Sequence, residues 1–195
     1  KNSVFGKKLH QLALNPEYKT YLDIGTWCGL GTTKCFLDGI ITRQDDSCLY
    51  ALETNKNFYN ITNQYWSKYF EVYNIAKPKF RLFYGGIVKY EDLDEDYVTD
   101  EGHHKKTYDY NSDLKKAPFI ELDTKIDVLC LDGGHFSTML EWALLKEQIK
   151  VLALDDTNTS KTRMIVEELS SDENWEITWA DPDHRRGELI ATKKA

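Results

Sequence analysis

Two apolar segments of the sequence end in acidic residues whose carboxylates could meet at one site. The first is followed by Asp132-Gly-Gly-His135 and the second by Asp155-Asp156, with a helix-length segment between them. We expect the two segments to be neighbouring parallel strands, because the carboxyl ends of such strands share one edge of a sheet. Three carboxylates and an imidazole at that edge would suit a hard divalent cation and a general base.

Each of these residues also has an ordinary structural interpretation. An aspartate before two glycines can cap a helix or shape a turn, and Asp155-Asp156 can cap the helix that follows. His135 can simply lie at the start of a helix. Their joint occurrence at two predicted strand ends favours a catalytic site over four separate structural roles.

A glycine-rich turn lies between the first predicted strand and the helix after it. Its spacing is Gly25-x-x-x-Gly29-x-Gly31, Asp23 precedes it, and Glu53 ends the next predicted strand. Glycines let a ligand approach the backbone, and an acid at the end of the second strand can accept both hydroxyls of a ribose. We therefore expect a ribose-containing ligand, although the glycines alone are equally typical of a tight turn.

Strands alternate with helices along most of the chain. The predicted strands are residues 20–24, 48–53, 79–84, 126–131, 151–154, 175–180 and 188–192. The predicted helices are residues 4–14, 32–39, 56–73, 136–150 and 160–170. This alternation, ending in a hairpin, predicts a doubly wound, mostly parallel seven-stranded α/β sheet with an antiparallel last strand.

Residues 89–116 interrupt the alternation with a charged stretch that is poor in aliphatic side chains. We interpret it as an insertion that is either mobile or a lid. Four tyrosines could close such a lid over a sugar, namely Tyr90, Tyr97, Tyr108 and Tyr110.

The composition favours one domain and disfavours two classes of partner. With 41% hydrophobic residues, the chain is long enough for a single core, so residues 1–195 are predicted to form one domain. A formal net charge of -7 argues against a protein that grips nucleic acid. No apolar stretch approaches the roughly 20 residues of a membrane span.

The cysteines indicate the cellular compartment of the protein, and the first residue indicates whether the chain is part of a longer one. Four cysteines without a CxxC pair are typical of reduced thiols in a cytoplasmic protein, and no signal-peptide pattern opens the chain. Because the chain starts at Lys1 without a methionine, we expect a domain of a larger polypeptide, one that modifies carbohydrate if the acceptor is a sugar.

Taken together, the motifs resemble the class I S-adenosylmethionine-dependent methyltransferases. The resemblance is carried by Asp23-Ile-Gly25-Thr26-Trp-Cys-Gly29-Leu-Gly31-Thr32, by Glu53, by Asp132-Gly-Gly-His135 and by Asp155-Asp156. Within that family the sequence is most similar to the metal-dependent O-methyltransferases of sugars and small molecules, such as the macrolide-sugar enzymes, and more distantly to catechol-type enzymes. The similarity covers nearly the whole chain apart from the insertion, and it implies a Rossmann-like methyltransferase fold.

The resemblance also implies a role for each motif residue. The implied cofactor-binding residues are Asp23, Gly25, Thr26, Gly29, Gly31, Thr32, Glu53, Gly86, Ile87 and Asp132. Asp132, Asp155 and Asp156 would hold Mg²⁺ or Mn²⁺, and the catalytic residues would be Asp132 and His135, with His135 as the general base. Gly85 and its two successors lack the acid and hydroxyl that the family commonly shows after the third strand, so adenine would rest there on backbone or apolar surface.

The resulting hypothesis is metal-assisted methylation of a hydroxyl on a sugar, in a glycan or glycoside, with S-adenosylmethionine as the methyl donor. Catechol-type methylation of a phenol and a cofactor-binding module without turnover are the alternatives. The turn between the last two strands should lie at the same edge as the acids. There Arg185 and Arg186 either hold the acceptor or are simply solvated.

Overall fold

The computed structural model describes residues 3–75, 79–100, 102–107 and 111–194. Within them the chain forms a seven-stranded sheet covered by helices. The strands are β1 (Thr20–Ile24), β2 (Cys48–Glu53), β3 (Phe80–Tyr84), β4 (Val128–Leu131), β5 (Val151–Asp155), β6 (Trp175–Asp181) and β7 (Glu188–Lys193). The helices are α1 (Val4–Leu14), α2 (Thr32–Ile40), α3 (Lys56–Val72), α4 (Asn111–Lys116), α5 (Thr138–Leu145) and α6 (Arg163–Ser171).

The sheet has the strand order β3-β2-β1-β4-β5-β7-β6. Its first five strands are parallel, and β7 runs antiparallel to both of its neighbours. The predicted doubly wound sheet with an antiparallel last strand is therefore confirmed. The order reverses between β1 and β4, and open α/β sheets bind ligands at such a switch point.

The central strands are buried on both faces, which explains their unbroken apolar sequences. Successive residues of a strand point to opposite faces, so Val128 and Cys130 join one core cluster while Leu129 and Leu131 join the other. Helices α1, α2 and α3 cover the first face, and α5 and α6 cover the second. This packing fixes the carboxyl ends of the strands at one edge of the sheet.

Two helices near that edge are shorter than predicted. Helix α5 begins at Thr138 rather than at residue 136, because the backbone N–H groups of Ser137 and Thr138 both donate to the carbonyl oxygen of Gly134 in a turn. Helix α6 begins at Arg163 rather than at residue 160, because a polar turn follows β5. Both turns enlarge the irregular segments that follow the acidic strand ends.

Much of the insertion is packed against the body of the protein. Val88, Leu93, Leu114 and Phe136 form a small apolar cluster that joins it to the loop after β4. The segment 117–120 pairs with Gly86 through backbone hydrogen bonds. Two of the predicted lid tyrosines, residues 108 and 110, lie outside the described residues.

Among the described residues, no helix combines the length and the apolar character that crossing a membrane would require.

Candidate active site

The glycine turn after β1 lies against the loop after β4. Gly25 has a φ of +90°, and a Cβ atom there would lie 2.1 Å from the carbonyl oxygen of Asp132. Only glycine therefore lets these two strand ends approach so closely. Helix α3 holds the far side of the turn, where Trp66 Nε1 donates to the carbonyl oxygen of Gly29 at 3.0 Å.

Asp23 lies behind this turn, where it supports the start of α2. It is fully buried and accepts hydrogen bonds from the hydroxyls of Thr32, at 3.0 and 3.1 Å, and Thr33, at 2.5 Å. Burial raises the pKa of Asp23, and the hydroxyl donors partly offset that rise. Asp23 and Thr32 thus shape the turn from behind.

Glu53 ends β2, and its carboxylate is held by backbone N–H groups. Its Oε2 accepts from Trp27 N at 2.6 Å and its Oε1 from Asn55 N at 2.7 Å. Burial raises the pKa of Glu53 to about 7, although the two hydrogen bonds act in the opposite direction. Each carboxylate oxygen retains a lone pair, so the group can still accept two hydroxyl donors.

A cavity of about 380 Å³ opens at the carboxyl ends of β1, β2 and β4, a volume typical of small-molecule sites. The predicted site residues that line it are Gly25, Glu53, Gly86, Asp132, His135 and Asp156. The predicted site residues that lie outside its wall are Asp23, Thr26, Gly29, Gly31, Thr32, Ile87 and Asp155. Direct cofactor contact by the first six of these residues stays a prediction, whereas Asp155 is predicted as a metal ligand and not as a cofactor contact.

The insertion, interpreted from the sequence as either mobile or a lid, forms part of the cavity wall through residues that the sequence did not indicate. Asn111, Asp113 and Leu114 of α4 line the cavity, and Asn55 Nδ2 links α4 to the loop after β2 by donating to Asp113 Oδ2 at 2.8 Å. The negative charge of Asp113 adds to the rise that burial causes in the pKa of Glu53. A six-residue polar helix inside a charged segment has no apolar periodicity by which it could be recognised.

At the other end of the cavity, the acid cluster contains a cation supplied by the chain itself. Lys161 Nζ donates to Asp132 Oδ1 at 3.1 Å and to Asp156 Oδ2 at 3.2 Å, and only 2% of the lysine side chain is exposed. Burial lowers the pKa of Lys161, but the two carboxylates outweigh this effect and leave the pKa above its ordinary value. Burial also raises the pKa of Asp132 to about 6, with Lys161 acting against the rise. At neutral pH the group between the acids is therefore an ammonium.

The turn between β5 and α6 directs Lys161 towards the acids. Asp156 has a φ of +61°, a conformation that non-glycine residues seldom adopt but that aspartate tolerates. Its carbonyl oxygen accepts from the hydroxyls of Thr159, at 2.9 Å, and Thr162, at 2.7 Å. These bonds fold the segment into a compact turn from which the lysine reaches back into the cavity.

Asp155, the third predicted metal ligand, has other partners. Its Oδ1 accepts from the backbone N–H of Asp156 at 2.9 Å, and its Oδ2 lies 3.4 Å from Arg185 Nη1. The side chain of Asp155 is buried, whereas 64% of that of Arg185 is exposed. The turn between β6 and β7 thus reaches the acidic edge of the sheet, as the parallel orientation of β6 predicts.

The expectation that Asp132, Asp155 and Asp156 bind Mg²⁺ or Mn²⁺ does not fit this arrangement. Mg²⁺ requires oxygen ligands at about 2.0–2.1 Å in near-octahedral geometry, but an ammonium lies between two of these carboxylates and a guanidinium pairs with the third. In the part of the chain that the structure describes, no three His, Cys, Asp or Glu side chains are placed to hold a metal. The prediction missed Lys161 because a lysine in a polar turn is usually solvated.

Glu141 of α5 is another group that sequence reasoning missed. It lines the cavity, is 3% exposed, and its Oε2 has no hydrogen-bond partner among the described residues. Burial raises the pKa of Glu141 to about 7, while Ser137 and Lys161 lower it. The sequence does contain a sign of it, since this glutamate is the charged residue within the apolar segment Met-Leu-Glu-Trp-Ala-Leu-Leu.

No protein-family model matches the sequence, and no curated protein matches it either. Solved structures do match. A Staphylococcus aureus protein described as a caffeoyl-CoA O-methyltransferase superimposes with a TM-score of 0.65 at 14% identity, over 100% of this chain and 85% of that one.

Two further matches were solved with a cofactor form bound. The O-methyltransferase of Bacillus cereus in complex with SAH has a TM-score of 0.61 at 14% identity, over 100% of this chain and 82% of that one. The second is the O-methyltransferase TomG of Streptomyces achromogenes, which is involved in tomaymycin synthesis and was solved with SAM. It has a TM-score of 0.61 at 14% identity, over 97% of this chain and 79% of that one. The chain therefore has the Rossmann-like fold that these O-methyltransferases share.

Proposed function

We propose that this chain transfers a methyl group from S-adenosylmethionine to a hydroxyl of a sugar or a similar polyol. The observation that carries the proposal is a single cavity with Glu53 at one end and Asp132 with His135 at the other. The solved structures of the same fold with SAM or SAH support the choice of cofactor.

The Glu53 end of the cavity fits S-adenosylmethionine, which supplies the methyl group on an electrophilic sulfonium. Glu53 accepts hydrogen bonds from both ribose hydroxyls, because its carboxylate is already oriented by two backbone donors. Gly86 leaves space for Leu114, whose Cδ1 would lie 2.9 Å from a Cβ at position 86. Leu114 and Phe58 then provide apolar surface for the adenine ring.

His135 acts as the general base at the opposite end. It takes the proton of the acceptor hydroxyl while that oxygen attacks the methyl carbon, so a C–O bond forms as the C–S bond breaks. The proton then passes from the imidazole to solvent. Asp132 and His135 follow the same strand end, so β4 positions both.

The character of the cavity wall favours a polyhydroxy acceptor. Apart from two glycines, the lining residues of the segment 132–161 are all polar or charged: Asp132, His135, Ser137, Glu141, Asp156 and Lys161. Such a wall provides many hydrogen-bond partners for hydroxyls and little apolar surface for a flat ring. Methylation of a phenol is the second candidate, and the description of the Staphylococcus aureus neighbour favours it.

The cellular setting is part of the same proposal. All four cysteines are free, which supports a reducing, cytoplasmic environment. The partner is a small-molecule or glycan acceptor and not a nucleic acid, in keeping with the net charge of -7. A place within a larger carbohydrate-modifying polypeptide fits that acceptor.

The test is calorimetry with S-adenosylmethionine, followed by a tritiated-methyl assay on pooled sugars and phenols. We expect one binding site and transfer to a sugar pool, with transfer reduced at least about 100-fold in His135→Gln. Transfer confined to phenols would favour the second candidate. Binding without transfer to any acceptor would support a cofactor-binding module instead.

A further inference from the structure

We propose that the Lys161 ammonium is the permanent cation of the acid cluster and takes the place of a divalent metal ion. The role of Lys161 in methyl transfer rests on the proposed function, whereas the exclusion of metal does not. The chain itself then supplies the positive charge next to the reacting oxygen.

The position of Lys161 is the first argument. Its Nζ lies 3.1 Å from Asp132 and 3.2 Å from Asp156, so it bridges the loop after β4 and the turn after β5. These are two of the three carboxylates that the sequence motifs assign to a metal. The side chain is 2% exposed, so the ammonium is enclosed rather than resting on the surface.

Charge and space give the second argument. Lys161 Nζ already contacts Asp132 and Asp156, so a metal ion bound to the same two carboxylates would be a second cation beside it, and two cations close together repel strongly in a partly desolvated site. The remaining carboxylate, Asp155, is paired with Arg185 at 3.4 Å. A divalent ion would thus have to displace the buried ammonium of Lys161, and it would meet a second, exposed cation at Asp155.

The cavity gives the third argument. Lys161 lines it, and among the described residues the ammonium uses two of its three N–H groups. The third is available to an acceptor oxygen. Lys161 would then stabilise the negative charge that develops on this oxygen as His135 removes the proton. Lys161 itself neither gives nor takes a proton, so the proton still passes from His135 to solvent.

The experiment is a Mn²⁺ titration followed by electron paramagnetic resonance on three forms of the full chain: wild type, Lys161→Met and Lys79→Met. Lys79 is a matched control, because it is 4% exposed and its ammonium contacts Asp45 at the opposite edge of the sheet. We expect wild type and Lys79→Met to bind Mn²⁺ no tighter than about 1 mM. Lys161→Met should bind it at least about tenfold tighter, since two carboxylates lose their counter-charge.

Equal Mn²⁺ affinities for wild type and Lys161→Met, whether tight or weak, would overturn the inference. If Lys161→Met does not fold, wild type alone decides: submillimolar Mn²⁺ binding that disappears in Asp156→Asn would overturn it, and weaker binding supports it. The titration needs neither cofactor nor acceptor. A failure of the proposed methyl transfer would therefore appear separately, in the calorimetry and the tritium assay.

Discussion

The two ends of the cavity hold their carboxylates by opposite means. Glu53 is oriented by neutral backbone N–H groups, so the remaining lone pairs of its oxygens stay available to a ligand. Asp132 and Asp156 instead share a buried ammonium, which neutralises much of their charge inside the protein. Similar acids at strand ends can therefore serve different purposes: the first end is suited to bind neutral hydroxyls, and the second holds a positive charge in place.

The junction between the two ends is the feature whose loss should cost most. In Gly25→Ala the new Cβ would meet the backbone of Asp132 at 2.1 Å in a left-handed conformation, so we expect the free energy of unfolding to fall by about 3 kcal/mol or more. Gly31→Ala is the comparison variant: its φ is −93° and no atom lies within 4 Å of its Cβ position, so only its ψ of −118° disfavours a side chain, and it should cost less than half as much as Gly25→Ala. Urea denaturation measures both; equal effects would contradict the close approach of the two strand ends.

The ribose-binding role of Glu53 predicts the next largest effect. Glu53→Gln replaces one acceptor oxygen by a donor, so the dissociation constant for S-adenosylhomocysteine should rise about 10- to 100-fold. Calorimetry measures the change, with Glu71→Gln on the exposed surface of α3 as the control. An unchanged affinity in the Glu53 variant would remove this residue from the cofactor site.

The buried carboxyl of Glu141 should make stability depend on pH. Its pKa is about 7 in the folded chain against an ordinary value of 4.5, so the folded state binds more protons between these values and stability falls as the pH rises through them. Glu141→Gln stays neutral, and at pH 8 it should be more stable than wild type by about 3 kcal/mol. Thermal unfolding at pH 4.5 and pH 8 tests this, because the difference between the two proteins should vanish at the lower pH.

The exposed cation of the acidic end should matter least. Arg185 is 64% exposed and lies 3.4 Å from Asp155, a long contact that water screens. Arg185→Ala should therefore lower the free energy of unfolding by less than about 0.5 kcal/mol. A loss of several kcal/mol in urea denaturation would contradict this expectation. It would show that Arg185 and Lys161 contribute similarly to the stability of the fold.

The fold was largely predictable because its signals are local. The apolar runs that form β4 and β5 end at Asp132 and Asp155. A central parallel strand is buried on both faces, so its unbroken apolar sequence identifies it without knowledge of the strands beside it. Helix ends were less predictable. The hydroxyl bonds of Thr159 and Thr162 delay the start of α6, and such side-chain turns compete with the helix in a way that periodicity does not reveal.

The site was predictable only where it follows strand ends. Glu53, Asp132 and His135 line the cavity as the spacing of the motifs indicates. Lys161 and Asp113 could not be found in this way, because their place depends on the course of a turn and of an insertion. The expectation of a metal site rests on the acids, which are visible in the sequence, and takes no account of the cation that reaches them through the turn after β5, which is not visible there.

The most direct test of the account is calorimetric titration of the wild-type chain with S-adenosylhomocysteine in the presence of EDTA. The account predicts one site per chain with a dissociation constant in the range of about 1–100 μM, because the cofactor end of the cavity is organised by the chain alone. No detectable binding to folded protein, or binding that appears only after a divalent ion is restored, would contradict it.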